Sequence, residues 1–161
     1  MYLIIRYFWV MHMIIQKALT GDSEILTAIT KMSKAHWGYS EEQIETWAEL
    51  LTITKAYIET LPVYKLVIDD VIVGYYSFYN KEEHIVKLDN LFILPQHIGK
   101  GYGRILMADF LLRLKGTGAK KAILDSEPKA EMFYRKMGFV KTGKNESSIK
   151  DRFLPVMERE I

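Results

Sequence analysis

The chain has 161 residues, 49% apolar and 26% charged, which is enough to close one hydrophobic core and too apolar for a disordered chain. Lys and Arg number 22 against 20 Asp and Glu, a net charge of +2 with no basic run, which argues against nucleic acid as a partner. Cysteine is absent, excluding thiol nucleophiles, disulfides and thiolate metal sites, and fitting a reducing, cytoplasmic setting.

Residues 1–15, MYLIIRYFWVMHMII, are apolar but too short to span a bilayer comfortably, and Arg6 and His12 interrupt them. They lack the basic start and small-residue cleavage site of a signal peptide, so no membrane partner is expected. Residues 1–12 read as a hydrophobic extension and residues 13–161 as one domain. The extension is expected to add a strand or to bury its aromatics at a homodimer contact. His12, His36, His84 and His97 form no H-x-x-x-H pair, and no metal is expected.

Residues 13–18 read as the opening strand. A helix is expected over 23–35, with Ile25, Leu26, Ile29 and Met32 at helical spacing. Trp37-Gly38-Tyr39 breaks it. Ser40 and Gln43 form a capping-box pattern that starts a second helix running to about residue 58. Strands are expected over 63–68 and 71–79 around an Asp69-Asp70 hairpin turn. Residues 80–83 make the next turn, and a third strand runs over 84–94 to Pro95. After a glycine-rich turn, a mostly buried helix extends to about Lys115, with Asp109 and Arg113 paired at i, i+4. A strand over 120–124, a helix over 127–137 begun at Pro128, and two closing strands complete the chain. This order implies an α/β (α+β) domain around one mixed, mostly antiparallel sheet flanked by helices.

One segment points to chemistry: Asn90-Leu-Phe-Ile-Leu-Pro-Gln-His-Ile-Gly-Lys-Gly-Tyr-Gly-Arg104. A buried strand enters a turn with three glycines, and a helix begins at once. The first amides of a helix have no helical partner, and the dipole adds roughly half a positive charge there. Backbone N–H groups converging at such a turn can hold a phosphate, with Lys100 as a mobile cation. The glycines alone equally suit a tight turn that binds nothing. Walker A is excluded because Lys100 precedes Gly101 rather than Ser or Thr, and even spacing at Gly99, Gly101 and Gly103 excludes the dinucleotide fingerprint.

The segment resembles the acyl-CoA-binding loop, Q/R-x-x-G-x-G/A, of the GNAT (Gcn5-related N-acetyltransferase) superfamily. Gln96-His97-Ile98-Gly99-Lys100-Gly101 matches it literally. The frame from Ile98 to Gly103 matches all but its first position and is preferred, because it sets the last glycine at the helix start. Glu127-Pro-Lys-Ala-Glu-Met-Phe-Tyr-Arg-Lys-Met-Gly-Phe139 is similar to the family's D-P-x-A-x-x-F-Y-x-x-x-G-F segment, and Arg152-Phe-Leu-Pro-Val-Met157 to its closing strand. The resemblance spans residues 13–158.

It implies an N-acetyltransferase that moves an acetyl group from acetyl-CoA to a primary amine of a small molecule by direct attack, and a sheet splayed at the coenzyme site. The backbone of Phe92, Ile93 and Leu94 would pair with the pantetheine arm. Ile98, Gly99, Lys100, Gly101, Tyr102 and Gly103 would hold the pyrophosphate. Tyr134 matches the tyrosine that protonates the leaving sulfur, although Ala130, Phe133, Tyr134 and Met137 also form a stripe that suits the core. Asp89 is the candidate base, on the strand face of Lys87 and Leu91, with Asn90 on the opposite face; a surface aspartate is an equal reading. Lys129 stands where Asn is common and either touches coenzyme or is solvated. Trp37 and Tyr39 would wall the amine pocket or lid the core. A protein or peptide acceptor, a non-catalytic acyl-CoA-binding module and a nucleotide-binding α/β protein are the competing readings.

Overall fold

The computed structural model describes residues 11–147, 149 and 151–161. The expectation for the extension therefore falls almost wholly outside the described residues. Met13–Lys17 forms β1, and α1 spans Ser23–His36. The expected second helix is two: α2, Glu41–Thr46, and α3, Lys55–Thr60. The break has a local cause. Thr52, Ile53 and Thr54 are β-branched in succession, which disfavours helix. Ile53 is buried and its N–H donates to Thr27 Oγ1 at 2.9 Å, while Thr54 Oγ1 caps the new helix by accepting from Tyr57 N at 3.0 Å. The Ser40–Gln43 capping box forms as expected, with bonds of 3.0 and 3.2 Å; a cap of this kind contributes about 1 kcal/mol.

Next come β2, Val63–Ile68, β3, Val71–Glu82, and β4, Ile85–Ile93. Asp69 and Asp70 take φ of 46° and 66°, the left-handed pair that a two-residue hairpin needs. β3 runs through the turn expected at 80–83, and the reversal falls at Glu83 and His84, where His84 has φ 63° and bonds Gly118 O at 2.8 Å. α4, Tyr102–Leu114, leads to β5, Lys121–Asp125. A single 3-10 turn at Pro128–Ala130 precedes α5, Glu131–Lys136, and β6, Val140–Glu146, and β7, Phe153–Glu160, close the chain.

The strands form one sheet in the order β1-β2-β3-β4-β5-β7-β6, in which only β4 and β5 run parallel. Two buried clusters cover its faces. On one, Leu106, Met107, Phe110 and Leu114 of α4 and Tyr134 of α5 meet Val86, Leu88 and Ile93. On the other, Leu26 and Ile29 of α1 and Ile58 of α3 meet Val63, Tyr75 and Leu94. Full burial of a side chain such as Phe110 stabilises by about 2–3 kcal/mol. The Asp109–Arg113 pair forms at 2.8 Å on the flank of α4 that meets the sheet, where Asp109 accepts from the Tyr76 hydroxyl and the Arg113 guanidinium lies over the Tyr64 ring.

β4 decides where a site can lie. It pairs with β5 only through Ile85, Val86 and Lys87, opposite Lys121, Ala122 and Ile123. Past that point β4 stays on β3 while Leu124 and Asp125 of β5 pair only with β7, so the sheet parts into a cleft. β4 also carries a bulge: Ser77 faces Asn90 and Phe78 faces Leu88, leaving Asp89 unpaired. Leu88 and Leu91 consequently both pack toward α4. Asp89 and Asn90 are both displaced to the α1–α3 face, where their side chains meet the same Tyr57 hydroxyl. Strict alternation had put them on opposite faces, and the extra residue overturns it.

Candidate active site

The turn before α4 is built from backbone. Gly101 caps α4 with φ 86°, and Gly99 has φ 85°, left-handed conformations that strain any side-chain-bearing residue. A Cβ at either position would meet no protein atom within 4 Å, so the turn opens to the outside. The first bond of α4 runs from Ile105 N to Gly101 O at 3.1 Å. Among the described residues, no carbonyl or side-chain acceptor outside the helix pattern takes the amides of 99–104, a run of donors suited to an anion. Ile98 departs from expectation: its amide already donates to Pro95 O at 3.2 Å, so the cradle begins at Gly99. Gly103 lies within the first turn, where its ideal Cβ would touch the Phe133 ring at 3.5 Å; it packs α4 against α5 rather than opening space. Lys100 is exposed.

The thiol-arm wall also needs correction. Leu94 N donates to Val73 O at 2.8 Å, so this amide is spent inside the sheet. Ladder alternation turns Phe92 to β3 as well, and its oxygen would lie 2.7 Å from a Cβ at Gly74. The polar groups that face the parted side are therefore those of Leu91 and Ile93. The Ile93 carbonyl accepts from Ser33 Oγ of α1 at 2.7 Å. Ile93 N–H and both groups of Leu91 remain for an extended ligand in the place that β5 vacates.

Tyr134, on α5, is buried between Phe133 and Phe139, with ring centroids 5.1 and 6.0 Å away, so the core stripe is real. Burial alone pushes its phenol above the ordinary value, and no protein hydrogen bond shares in the shift. It remains a proton donor at neutral pH.

Around Tyr39 a charged cluster is assembled from distant segments. Tyr39 donates to Glu127 at 2.9 Å, and Arg152 binds Glu127 at 2.8 Å and also bonds Tyr39. Lys34 lies 3.6 Å from the same carboxylate and 5.8 Å from the Phe92 ring centroid, which places the cluster over the parted strands. Burial, then Glu127, pushes the Tyr39 phenol up to about 12, while burial lowers Lys34 against the pull of Glu127. Tyr39 also packs edge-on against Trp47 at 5.2 Å. Beside it lies a depression of about 520 Å³ lined by Ser40, Glu42, Gln43, Thr46, Trp47 and Ile149. Trp37 lends its carbonyl to Lys129 Nζ at 2.7 Å, so Lys129 ties the end of α1 to the 3-10 turn before α5 instead of reaching toward the turn at 99–103.

Sequence reasoning missed Lys34, Tyr57, Ser77, Glu127 and Arg152. Glu127 and Arg152 stood inside the segments that carry the family likeness. Tyr57 gave no signal, because an isolated tyrosine on a short amphipathic helix looks like core. Among the described residues no group of three or more His, Asp or Glu side chains could hold a metal, and no helix is long and apolar enough to cross a membrane.

A sheet that opens between parallel neighbours, with unpaired amides at the adjacent helix start, can hold an extended ligand with an anionic end. The model of the acetyltransferase (GNAT) domain matches residues 37–158, and the chain belongs to that family. Its fold is similar to the PaiA N-acetyltransferase of Thermoplasma acidophilum in complex with coenzyme A, at TM-score 0.80 and 21% identity over 93% of this chain and 99% of that one. It is also similar to a GCN5-related N-acetyltransferase of Rhodopseudomonas palustris, at 0.76 and 23% over 94% and 98%. YncA of Salmonella typhimurium, a putative acetyltransferase with its cofactor acetyl-CoA, gives 0.68 and 21% over 92% and 94%. No protein of curated function matches by sequence.

Proposed function

We propose that this protein transfers the acetyl group of acetyl-CoA to a primary amine, and that the amine belongs to a small molecule. The observation that carries the reading is the coincidence of unpartnered amides at 99–104 with a sheet that parts after Lys87 and Ile123. Residues 99–103 hold the pyrophosphate, and Leu91 and Ile93 pair with the pantetheine arm as a missing strand would. Family members solved with coenzyme A and acetyl-CoA support this choice of co-substrate. The aromatic pair Tyr39 and Trp47, beside an open depression of about 520 Å³, supports a compact amine.

Asp89 takes a proton from the amine, directly or through water. The neutral nitrogen forms its bond to the thioester carbonyl carbon, the carbon–sulfur bond breaks, the acylated nitrogen sheds its surplus proton to solvent, and the departing thiolate takes the Tyr134 hydroxyl proton. Proton return from solvent resets Tyr134, and Asp89 releases its proton. Calorimetry with acetyl-CoA, ATP and NAD should show binding of the first alone. A panel of amines, read by released thiol, should then give turnover with at least one small amine. Binding of ATP or NAD in preference to acetyl-CoA would remove the reading, and turnover only with peptide N-termini would move it to a protein acceptor.

A further inference from the structure

The bulge on β4 brings four side chains from three elements together. Tyr57 of α3, Ser77 of β3, and Asp89 and Asn90 of β4 form a closed hydrogen-bond set. Proton counting fixes its direction. Asn90 Nδ2 has two protons and lies 2.9 Å from both Tyr57 Oη and Ser77 Oγ. Because Tyr57 gives its own proton to Asp89 Oδ2 and Asn90 donates to each hydroxyl, the Ser77 proton runs to Tyr57 at 2.7 Å. Both lone pairs of the Tyr57 oxygen are then filled. Asn90 Nδ2 also lies 3.3 Å from that same oxygen. No protein donor among the described residues reaches Asp89 Oδ1, and Asp89 is exposed.

We infer that Tyr57 is a positioning residue: backed by Ser77 and Asn90, it clamps Oδ2 of Asp89 so that Oδ1 alone faces the acceptor amine and takes its proton. The inference rests on Asp89 being the base. An unclamped aspartate on an exposed bulge samples several rotamers, and small misplacements of a catalytic group cost up to about a hundredfold. Burial and the neighbouring carboxylate both raise the Tyr57 phenol, consistent with a hydroxyl that stays protonated and donating.

The test uses the full chain with acetyl-CoA and the best amine of the panel. Tyr57→Phe keeps the ring and the Asn90–Ser77 bond but removes the clamp. It should lower kcat by about tenfold or more, with the acceptor KM, the acetyl-CoA Kd and the melting temperature unchanged. Asp89→Asn should lower kcat by about a hundredfold or more, and adding Tyr57→Phe to it should cost nothing further. If Tyr57→Phe alone retains full kcat, or if its loss multiplies with that of Asp89→Asn, the positioning role is overturned while the base stands. If Asp89→Asn keeps full turnover, the assignment of the base falls, and this inference with it. A Tyr57→Phe variant that melts early and loses coenzyme affinity in parallel would mark a merely structural residue.

Discussion

The wall proposed to face the phosphates and the wall proposed to face the acceptor are built in opposite ways. The first is a single stretch of chain, residues 99–104, whose donors are main-chain amides and whose shape is set by left-handed glycines. The second draws Lys34 from α1, Tyr39 from the following loop, Glu127 from the loop after β5 and Arg152 from just before β7, and every contact in it is made by a side chain. A phosphate site needs only amides held in a fixed curve, which local sequence can specify. A pocket for an amine needs shape and charge from several directions, which only packing provides.

This contrast predicts effects of different kinds. The largest is expected between the walls, at the reacting atoms. Tyr134→Phe should lower turnover by about a hundredfold or more while calorimetry finds acetyl-CoA affinity intact, because one proton is lost and the packing with Phe133 and Phe139 is kept. Unchanged turnover would return Tyr134 to the core stripe alone. On the coenzyme wall, Gly101→Val puts a branched side chain at φ 86° into the anion cradle. Acetyl-CoA affinity should fall by more than about tenfold, since each left-handed non-glycine residue costs about 1–2 kcal/mol before any ligand is displaced. Wild-type affinity in that variant would show that the cradle is not where the pyrophosphate sits.

On the acceptor wall, Arg152→Ala leaves Glu127 with Lys34 and Tyr39 as partners. Urea unfolding should show a loss of about 1–3 kcal/mol, less than for a fully buried pair because both side chains keep some exposure. The acceptor KM should rise and the coenzyme Kd should not move; a change in coenzyme affinity alone would erase the division between the walls. The smallest effect is alkaline. Tyr39, Tyr57, Tyr75, Tyr76 and Tyr134 all have phenols raised by burial, Tyr39 to about 12. Raised folded values mean that their contribution to stability is complete below pH 10, where unfolded tyrosine is protonated, and is lost progressively above it. Phenolate absorbance should show these five silent at pH 10.5 in the native protein and titrating on unfolding. Early ionisation of Tyr39 would mean that the acceptor wall is looser than its hydrogen bonds imply.

Much was legible before any coordinates. The strand-turn-helix around Gly99, Gly101 and Gly103, the Asp69-Asp70 hairpin, the capping box at Ser40 and the Asp109–Arg113 pair are local arrangements, determined by residues within a few positions of one another. The family likeness extended that reading to the parting of the sheet. The expectations for Ile98, Phe92 and Leu94 were revised because an amide's partner depends on ladder phase and turn closure, which residue identity does not reveal. Lys129 was revised because the Trp37 carbonyl is 92 positions away along the chain.

By itself, then, the sequence determined most of the elements and a turn whose amides suit an anion, since these depend on short-range sterics and periodicity, and its motifs carried the resemblance to the family. The tertiary structure alone decided that an unpaired residue at Asp89 rotates both it and Asn90 toward Tyr57, and that Glu127 gathers Tyr39, Lys34 and Arg152 over the open strands. A one-residue bulge reverses which face a side chain serves, and no pattern of polar and apolar residues encodes which charges will meet across the fold.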